Sequence, residues 1–536
     1  YFNVQDGDMA VSSNWTYNGS NTHGLLPDKR FPIIVSQAMT INEGELVAYG
    51  VTIENGGSVN IQPKGGLTLH AGGFTNVTEN NFEVHNKLEG AGFVRVSKYF
   101  KKLGGTMPKM KVHFTTKANM NNGENKDAAW QYIGAPGAET QMQVVNTSTL
   151  YLRSEEKGWV RQWDSNASLT PFAGYAFTQK DQPSIDFTPR LVTDNQIITL
   201  TYTEGGMNGD NLWANSYMAP IDIKKLGKED FSGAVDQIVY LYNCGSWNEW
   251  NKDQSAIQTA EEQPGRYYAI PVGSARALDA TYDQTVIPPM QGVYVVALND
   301  AAKIKLDYAK HVYGANASNK PMRAPQRQDD NFKRVRLQVS GKTSGADRMY
   351  VIQYEDATKG YDYGYDAKNI AAENQVNIFT TEQDGQMEIS VSDRMDSTYI
   401  GLQAGSDSEY RLRITSVIGE QLYLKDLENE TLITVADGEE YVFYATPNSV
   451  NNRRFLLMDR LASEEIEDLV KVYIHDNVVH VLEAPAYSDM AVYTVGGLMM
   501  ARYELGGSPC TVELSGLPTG VYLVRVADKA VKFVCK

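Results

Sequence analysis

Ala491-Val-Tyr-Thr-Val-Gly-Gly-Leu498, Cys510-Thr-Val-Glu-Leu514 and Leu517-Pro-Thr-Gly-Val-Tyr-Leu-Val-Arg-Val526 are three apolar runs cut by Gly-Gly and Pro-Thr-Gly turns. Apolar residues alternate with polar ones along each run, with one slip at Leu523-Val524. Alternation over so few residues describes short, half-buried strands of a small antiparallel sandwich, expected over 470–536. The same texture extends upstream. Val335-Arg-Leu-Gln-Val339, Met349–Tyr354, Met387-Glu-Ile-Ser-Val391, Tyr410-Arg-Leu-Arg-Ile414, Leu422-Tyr-Leu424 and Tyr441-Val-Phe-Tyr444 alternate cleanly, and the series ends near Arg454-Phe-Leu-Leu457. About eight such strands with regular turns predict a jelly-roll or immunoglobulin-like sandwich over 332–460.

A different pattern occupies 38–75. Met39-Thr-Ile41, Val51-Thr-Ile53, Val59-Asn-Ile61 and Leu67-Thr-Leu69 are apolar-x-apolar triplets separated by Glu43-Gly44, Gly56-Gly57 and Gly65-Gly66. Recurrence every eight to twelve residues or so predicts a small β-helix or β-roll stack over 38–110, with a meander of hairpins as the alternative. Residues 1–37 form an N-terminal segment. From Lys111 the texture changes again, to a β-sandwich module expected over 111–313. Residues 314–331 are polar, Pro-containing and aperiodic, as a linker would be. A short acidic connector, 461–469, precedes the last domain. The fold class is therefore all-β, with a short N-terminal stack followed by sandwiches.

Composition narrows the function. The 536 residues carry 49 Lys and Arg against 65 Asp and Glu, a net charge of −16 spread along the chain. Nucleic-acid binding relies on clustered basic residues and is not expected. No apolar run approaches the roughly 20 residues that span a bilayer, so no transmembrane segment is expected. The first residue is Tyr1 rather than Met, which reads as a chain whose signal peptide has been removed.

Several phrases are similar to those of secreted, cell-surface multidomain proteins of Bacteroidetes-type bacteria. The strands "VYTVGG" and "LPTGVYLVRV" and the closing "VKFVCK" resemble a C-terminal type IX-like sorting domain. Trp130-Gln-Tyr-Ile-Gly-Ala-Pro136, Leu169-Thr-Pro-Phe-Ala-Gly-Tyr175, Asn211–Asp222 and Ile287-Pro-Pro-Met-Gln-Gly-Val-Tyr-Val-Val296 resemble a module of the same exported proteins. Asn215-Ser216-Tyr217 departs from their usual Asn-Pro-Tyr. The resemblance implies an extracellular, outer-membrane-associated location and secretion machinery as a partner of the terminal domain. It says little about ligand.

Catalytic signatures are missing. Seven histidines form no His-Glu-x-x-His, no Cys-x-x-Cys pair exists, and there is no Gly-x-Ser-x-Gly elbow or phosphate loop. His475 and His480 flank an expected hairpin turn at Asp476-Asn477. On this reading the protein needs no transition metal. Asp362 and Asp366, in Gly360-Tyr-Asp-Tyr-Gly-Tyr-Asp-Ala367, are calcium candidates because Ca²⁺ takes several oxygen ligands on a flexible loop; Asx turns or pairing with Lys359 or Lys368 are the alternative. Asp6 and Asp8 are weaker candidates of the same kind. Cys510 and Cys535 both fall in the terminal domain and are a candidate disulfide. Aromatics are the better lead. Trp247 and Trp250, in a Gly- and Asn-rich stretch after Cys244, are candidate ligand-binding residues, whereas Trp159 and Trp163 are expected on one buried strand face. The expected function is a non-catalytic, adhesin-like surface protein that binds a glycan or a host or bacterial surface protein. A secreted polysaccharide hydrolase or lyase is the alternative.

Overall fold

The computed structural model describes the chain apart from residues 1, 5–6, 23, 88–89, 101–105, 117–129, 144–147, 165, 180–183, 233, 245–265, 279–284, 313–331, 372–374, 420, 460–469, 476, 483, 485–487, 506–508, 527–528 and 536. The expected linker, the expected connector, Asp6, Trp247 and Trp250 lie outside the described residues.

The N-terminal triplets pair in parallel, which a meander of hairpins cannot do. Phe2–Val4, Ile33–Val35, Val51–Ile53 and Phe74–Thr75 make one parallel ladder. Gly7–Asp8, Ala38–Ile41, Ser58–Ile61, Phe82–Lys87 and Lys111–Thr115 make a second. Gly44–Ala48, Gly65–Leu69 and Phe93–Val96 make a third. The chain visits the three ladders in turn. A triplet's partner is therefore not the next triplet but the one a circuit later: Met39 faces Val59, and Val59 faces Phe82. Met39, Ile41, Val59, Ile61, Phe82 and Val84 are fully buried, while Thr40, Asn60 and Glu83 line up on the opposite side. A one-residue slip would exchange the two sets, so burial fixes the register. The glycines sit where successive circuits crowd at the corners. A Cβ on Gly57 would lie 2.0 Å from the Val35 carbonyl oxygen, and one on Gly65 would lie 2.2 Å from that of Ile41.

Lys111–Thr115 is the last strand of the second ladder, and it pairs antiparallel with Ser184–Phe187. The middle of the chain is thereby tied to the N-terminal part. Its two four-stranded antiparallel sheets are Gln131–Ile133, Tyr175–Gln179, Ser148–Ser154 and Gly158–Arg161, then Asp210–Ala214, Gly292–Val296, Ile238–Tyr242 and Tyr267–Pro271. One buried cluster runs from Phe2 to Val312 and takes in Tyr350, Ile352, Ala367, Ile389 and Val391. Arg95 Nε donates to the Val312 carbonyl at 3.2 Å, and the Val96 amide donates to Tyr308 Oη at 3.2 Å.

Residues 332–458 form an eleven-stranded, largely antiparallel sheet system around a second core, in keeping with a sandwich. Phe332–Gly341 pairs with Glu409–Ile418 and shifts register between Arg336 and Leu337, a bulge that bends the long strand. The terminal residues fold as two antiparallel sheets. One holds Lys471–His475, Val478–Leu482 and Cys510–Glu513; the other holds Met499–Glu504, Asp489–Thr494, Gly520–Val526 and Lys529–Cys535. They enclose a third core of their own. Cys510 and Cys535, the candidate disulfide, are both free thiols in this structure and lie one in each sheet of the domain. Among the described residues, no helix is long and apolar enough to cross a membrane.

Candidate functional site: an aromatic face on the middle module

Strand alternation sorts the side chains of the second middle sheet. Val239, Val293 and Val295 are buried in the core, and Tyr240, Tyr242, Tyr267 and Tyr294 fall on the other face. Register brings these together: Tyr240 opposes Tyr294, and Tyr242 opposes Tyr267. Tyr132, from the first sheet, lies over them. Gly292 permits that approach, since a Cβ there would meet the Tyr132 Cβ at 2.8 Å.

The resulting cluster is continuous. Ring centroids of Tyr132 stand 4.9 Å from Tyr242, 5.3 Å from Tyr294 and 5.8 Å from Trp159, the last stacked at 25°. Tyr267 stands 5.0 Å from Tyr242 and 5.7 Å from Tyr294, and its hydroxyl is 2.8 Å from that of Tyr132. The Arg153 guanidinium lies 5.3 Å from the Trp159 ring and 5.8 Å from the Tyr294 ring, with its Nε buried and without a hydrogen-bond partner. Burial pushes the hydroxyls of Tyr132, Tyr242, Tyr267 and Tyr294 above the usual phenol range, so all four are neutral. Burial likewise raises the Asp210 carboxyl, against the pull of Arg153. This face offers ring surfaces, phenolic hydroxyls and one cation. Such a set can stack on and hydrogen-bond a ligand.

Trp159 and Trp163 correct the sequence reading. Gly158–Arg161 is the edge strand of its sheet, so its outer side chains meet solvent. Trp159 is 39% exposed and Trp163 is 76% exposed, with the Arg161 guanidinium 3.9 Å from the Trp163 ring. The strand ends at Arg161, so Trp163 lies beyond it, and the expected buried face is not formed. The tyrosines were missed because four separate strands supply them. The available signal was Tyr at alternate positions in Ile238-Val-Tyr-Leu-Tyr242 and between valines in Val293-Tyr-Val295. The segment carrying Trp247 and Trp250 joins the strands that end at Tyr242 and begin at Tyr267.

The two candidate calcium ligands brace a loop. Asp366 is fully buried and accepts from the amides of Val391 and Asp362, both at 2.6 Å. Asp362 accepts from the Thr358 amide at 2.6 Å and from its hydroxyl at 3.1 Å. All four carboxylate oxygens therefore already hold a donor. Asp8 accepts from Asn42 at 2.7 Å and from the Ala10 amide at 2.9 Å.

A group that sequence reading passed over lies on the outer side of the second ladder. Parallel register sets Glu83 beside Lys111 and His85 beside His113, and antiparallel pairing sets Asp186 on the far side of His113. One ligand atom from each of Glu83, His85 and His113 lies within 4.8 Å of the others. The histidines are 28 positions apart and share no local motif, so only the strand register reveals them.

Residues 7–458 match the model of a protein family described as a domain of unknown function, DUF8693. The chain belongs to this family. The match takes in the N-terminal ladders, the middle sheets and the second core, and stops before the terminal domain. The chain is also 25% identical, over 436 residues, to the minor fimbrium subunit Mfa5 of Porphyromonas gingivalis. That alignment covers 75% of this chain and 34% of the relative, so the chain spans about a third of that protein's length.

Proposed function

We propose that this protein is an exported, non-catalytic cell-surface subunit of the fimbrial type, adhesin-like, which binds a glycan through the aromatic face of its middle module. The observation that carries the reading is the packed set Tyr132, Trp159, Tyr242, Tyr267 and Tyr294 around Arg153, with the exposed Trp163 four residues beyond Trp159 in the chain. Flat rings give much contact area for little lost freedom, and neutral hydroxyls supply directional hydrogen bonds to a polyhydroxylated ligand. The likeness to a fimbrium subunit supports a surface role in assembly with other proteins. Trp247 and Trp250, which lie between Tyr242 and Tyr267 in the sequence, are further candidate ligand-binding residues in this reading.

The N-terminal ladders are read as the coils of a short β-helix, a reading supported by parallel pairing of successive circuits and by corner glycines. The terminal domain is read as the sorting address. A core separate from the rest supports that role, as does a family match that ends before it. The protein then sits outside the cell, associated with the outer membrane.

A glycan array probed with the purified chain tests the function. Wild type is expected to bind a restricted set of glycans. Trp159→Ala and Trp163→Ala are each expected to weaken binding by about 1–2 kcal/mol, roughly five- to thirty-fold. Trp247→Ala and Trp250→Ala should weaken it too. Binding that is unchanged in all four variants, or confined to protein ligands, would refute the glycan assignment.

A further inference from the structure

The outer side of the second ladder carries a group that the aromatic face does not use. His113 Nδ1 lies 2.6 Å from Asp186 Oδ1, and His113 Nε2 lies 3.3 Å from Glu83 Oε2. A neutral imidazole has one N–H. The shorter contact gives that hydrogen to Nδ1, which donates it to Asp186, and leaves the Nε2 lone pair facing a carboxylate oxygen. Two electron-rich atoms at that distance repel unless a cation stands between them. The His85 ring stacks on that of His113 at 4.4 Å and 22°, and its Nε2 is buried with no hydrogen-bond partner. Two imidazoles and a carboxylate thus converge beside an outer carboxylate that fixes one ring's tautomer.

We propose that Glu83, His85 and His113 bind a divalent transition-metal ion of the zinc class, with Asp186 orienting His113 from behind. Nitrogen and carboxylate donors suit zinc, and arms of about 2.0–2.1 Å place tetrahedral ligands about 3.3 Å apart, as His113 Nε2 and Glu83 Oε2 already are. No two of the three donor atoms are more than 4.8 Å apart, so small side-chain adjustments, at the partly exposed Glu83 among others, would bring the set round one ion. A carboxylate on the far nitrogen of a ligating histidine is a recurrent outer contact at zinc. Lys111 is the opposing charge. Its Nζ lies 3.7 Å from Glu83 Oε1 and 3.5 Å from Asp186 Oδ2, which holds the remaining oxygens and weakens attraction for a dication. The ion would join the ladder strand Phe82–Lys87 to Lys111–Thr115 and, through Asp186, to Ser184–Phe187, the three strands that link the N-terminal ladders to the middle sheets.

The competing explanation is a proton. A doubly protonated His113 between Glu83 and Asp186 would satisfy the same contacts without any metal. Calorimetric titration of the untagged, chelator-treated full chain with zinc chloride separates the two, and cobalt absorption reports the coordination. One equivalent should bind saturably and give a tetrahedral cobalt spectrum. His85→Ala and His113→Ala should each weaken binding at least tenfold, and Asp186→Asn should weaken it about 10–100-fold. Lys111→Met, which leaves every ligand in place, should tighten it, and His475→Ala with His480→Ala should leave it unchanged. Circular dichroism of each variant reports folding, and Lys111→Met tests the site should a histidine variant fail to fold. Absence of saturable zinc binding to the wild type, or affinity unchanged in both His85→Ala and His113→Ala, would overturn the proposal in favour of the proton.

Discussion

Replacing Arg266 with Met should loosen the joint between the middle module and the second sandwich. Arg266 is only 9% exposed and directly precedes Tyr267 of the aromatic face. It reaches across to the sandwich with three bonds: Nη1 to Asp347 Oδ1, Nε to Gln375 Oε1 at 3.0 Å and Nη2 to the Val376 carbonyl at 2.8 Å. Met keeps much of the aliphatic stem and removes the charge. Asp347 would then be a buried carboxylate held by the Ile378 amide, with its ion-pair partner gone. Breaking such a pair from one side costs about 3–5 kcal/mol. Protonation sets a ceiling. Burial already raises the Asp347 carboxyl above 3.8 and Arg266 pulls it back, so without the guanidinium it rises further. Taking up a proton costs about 1.4 kcal/mol per pH unit above that starting value, a ceiling of about 4 kcal/mol at pH 7 and about 2 at pH 5.

The sign follows from linkage. An acid whose folded-state pKa is raised binds its proton more tightly in the folded state, so the variant loses stability as pH rises. Urea unfolding of wild type, Arg266→Met, Asp347→Asn and the double variant, at both pH values, measures this. The single Arg variant should lose about 4 kcal/mol at pH 7 and about half as much at pH 5, and adding Asp347→Asn should recover part of the loss. A loss below about 0.5 kcal/mol at pH 7, or one independent of pH, would refute the clamp.

Two other perturbations bear on the architecture. Burial, reinforced by Asp347, pushes Glu388 from 4.5 up to about 8, so its proton stabilises the fold below 4.5 and that stability is lost as pH rises towards 8. Glu388→Gln should flatten the fall between about pH 5 and pH 8 that wild type shows in thermal melts, and parallel curves would refute the assignment. Truncation after Glu467 should leave the unfolding of the first two cores unchanged, since the terminal domain has its own core, while abolishing surface display in a host with the matching secretion machinery. Normal display of the truncated chain would sink the sorting role, and collapse of the remaining transitions would show the domain to be structurally integral.

Strand content was legible in the sequence because the period-2 alternation is local: Tyr410-Arg-Leu-Arg-Ile414 and Val521–Val526 both lie in strands. Pairing was not, because it is a relation between distant segments. The triplets of 38–75 announced a repeat, yet whether Met39 faces Val51 or Val59 depends on how many strands make one circuit, and the triplets do not encode that number. Trp159 and Trp163 show the same limit. Spacing suggested one buried strand face, but the strand ends at Arg161, before Trp163, and both rings are exposed, which depends on what the assembled sheets cover.

Parallel stacking has a chemical consequence for this chain. In a hairpin, residues opposite one another come from positions mirrored about a turn, so a sequence motif and its partner are close in the chain. In the ladders here, like positions of successive circuits lie side by side, and side chains on the outer faces form rows that cross strands. The row Thr40, Asn60, Glu83 and Lys111 is polar throughout, and the next row brings His85 against His113. Two imidazoles become neighbours because the register repeats, not because any short motif specifies them. The aromatic face arises by the antiparallel version of the same rule, in which Tyr240 meets Tyr294 and Tyr242 meets Tyr267 across strands far apart in sequence. Both candidate sites are thus products of register. A substitution that shifts register by one residue would therefore remove a site without touching any of its side chains, while exchanging the buried and exposed sets that fix the strand in place.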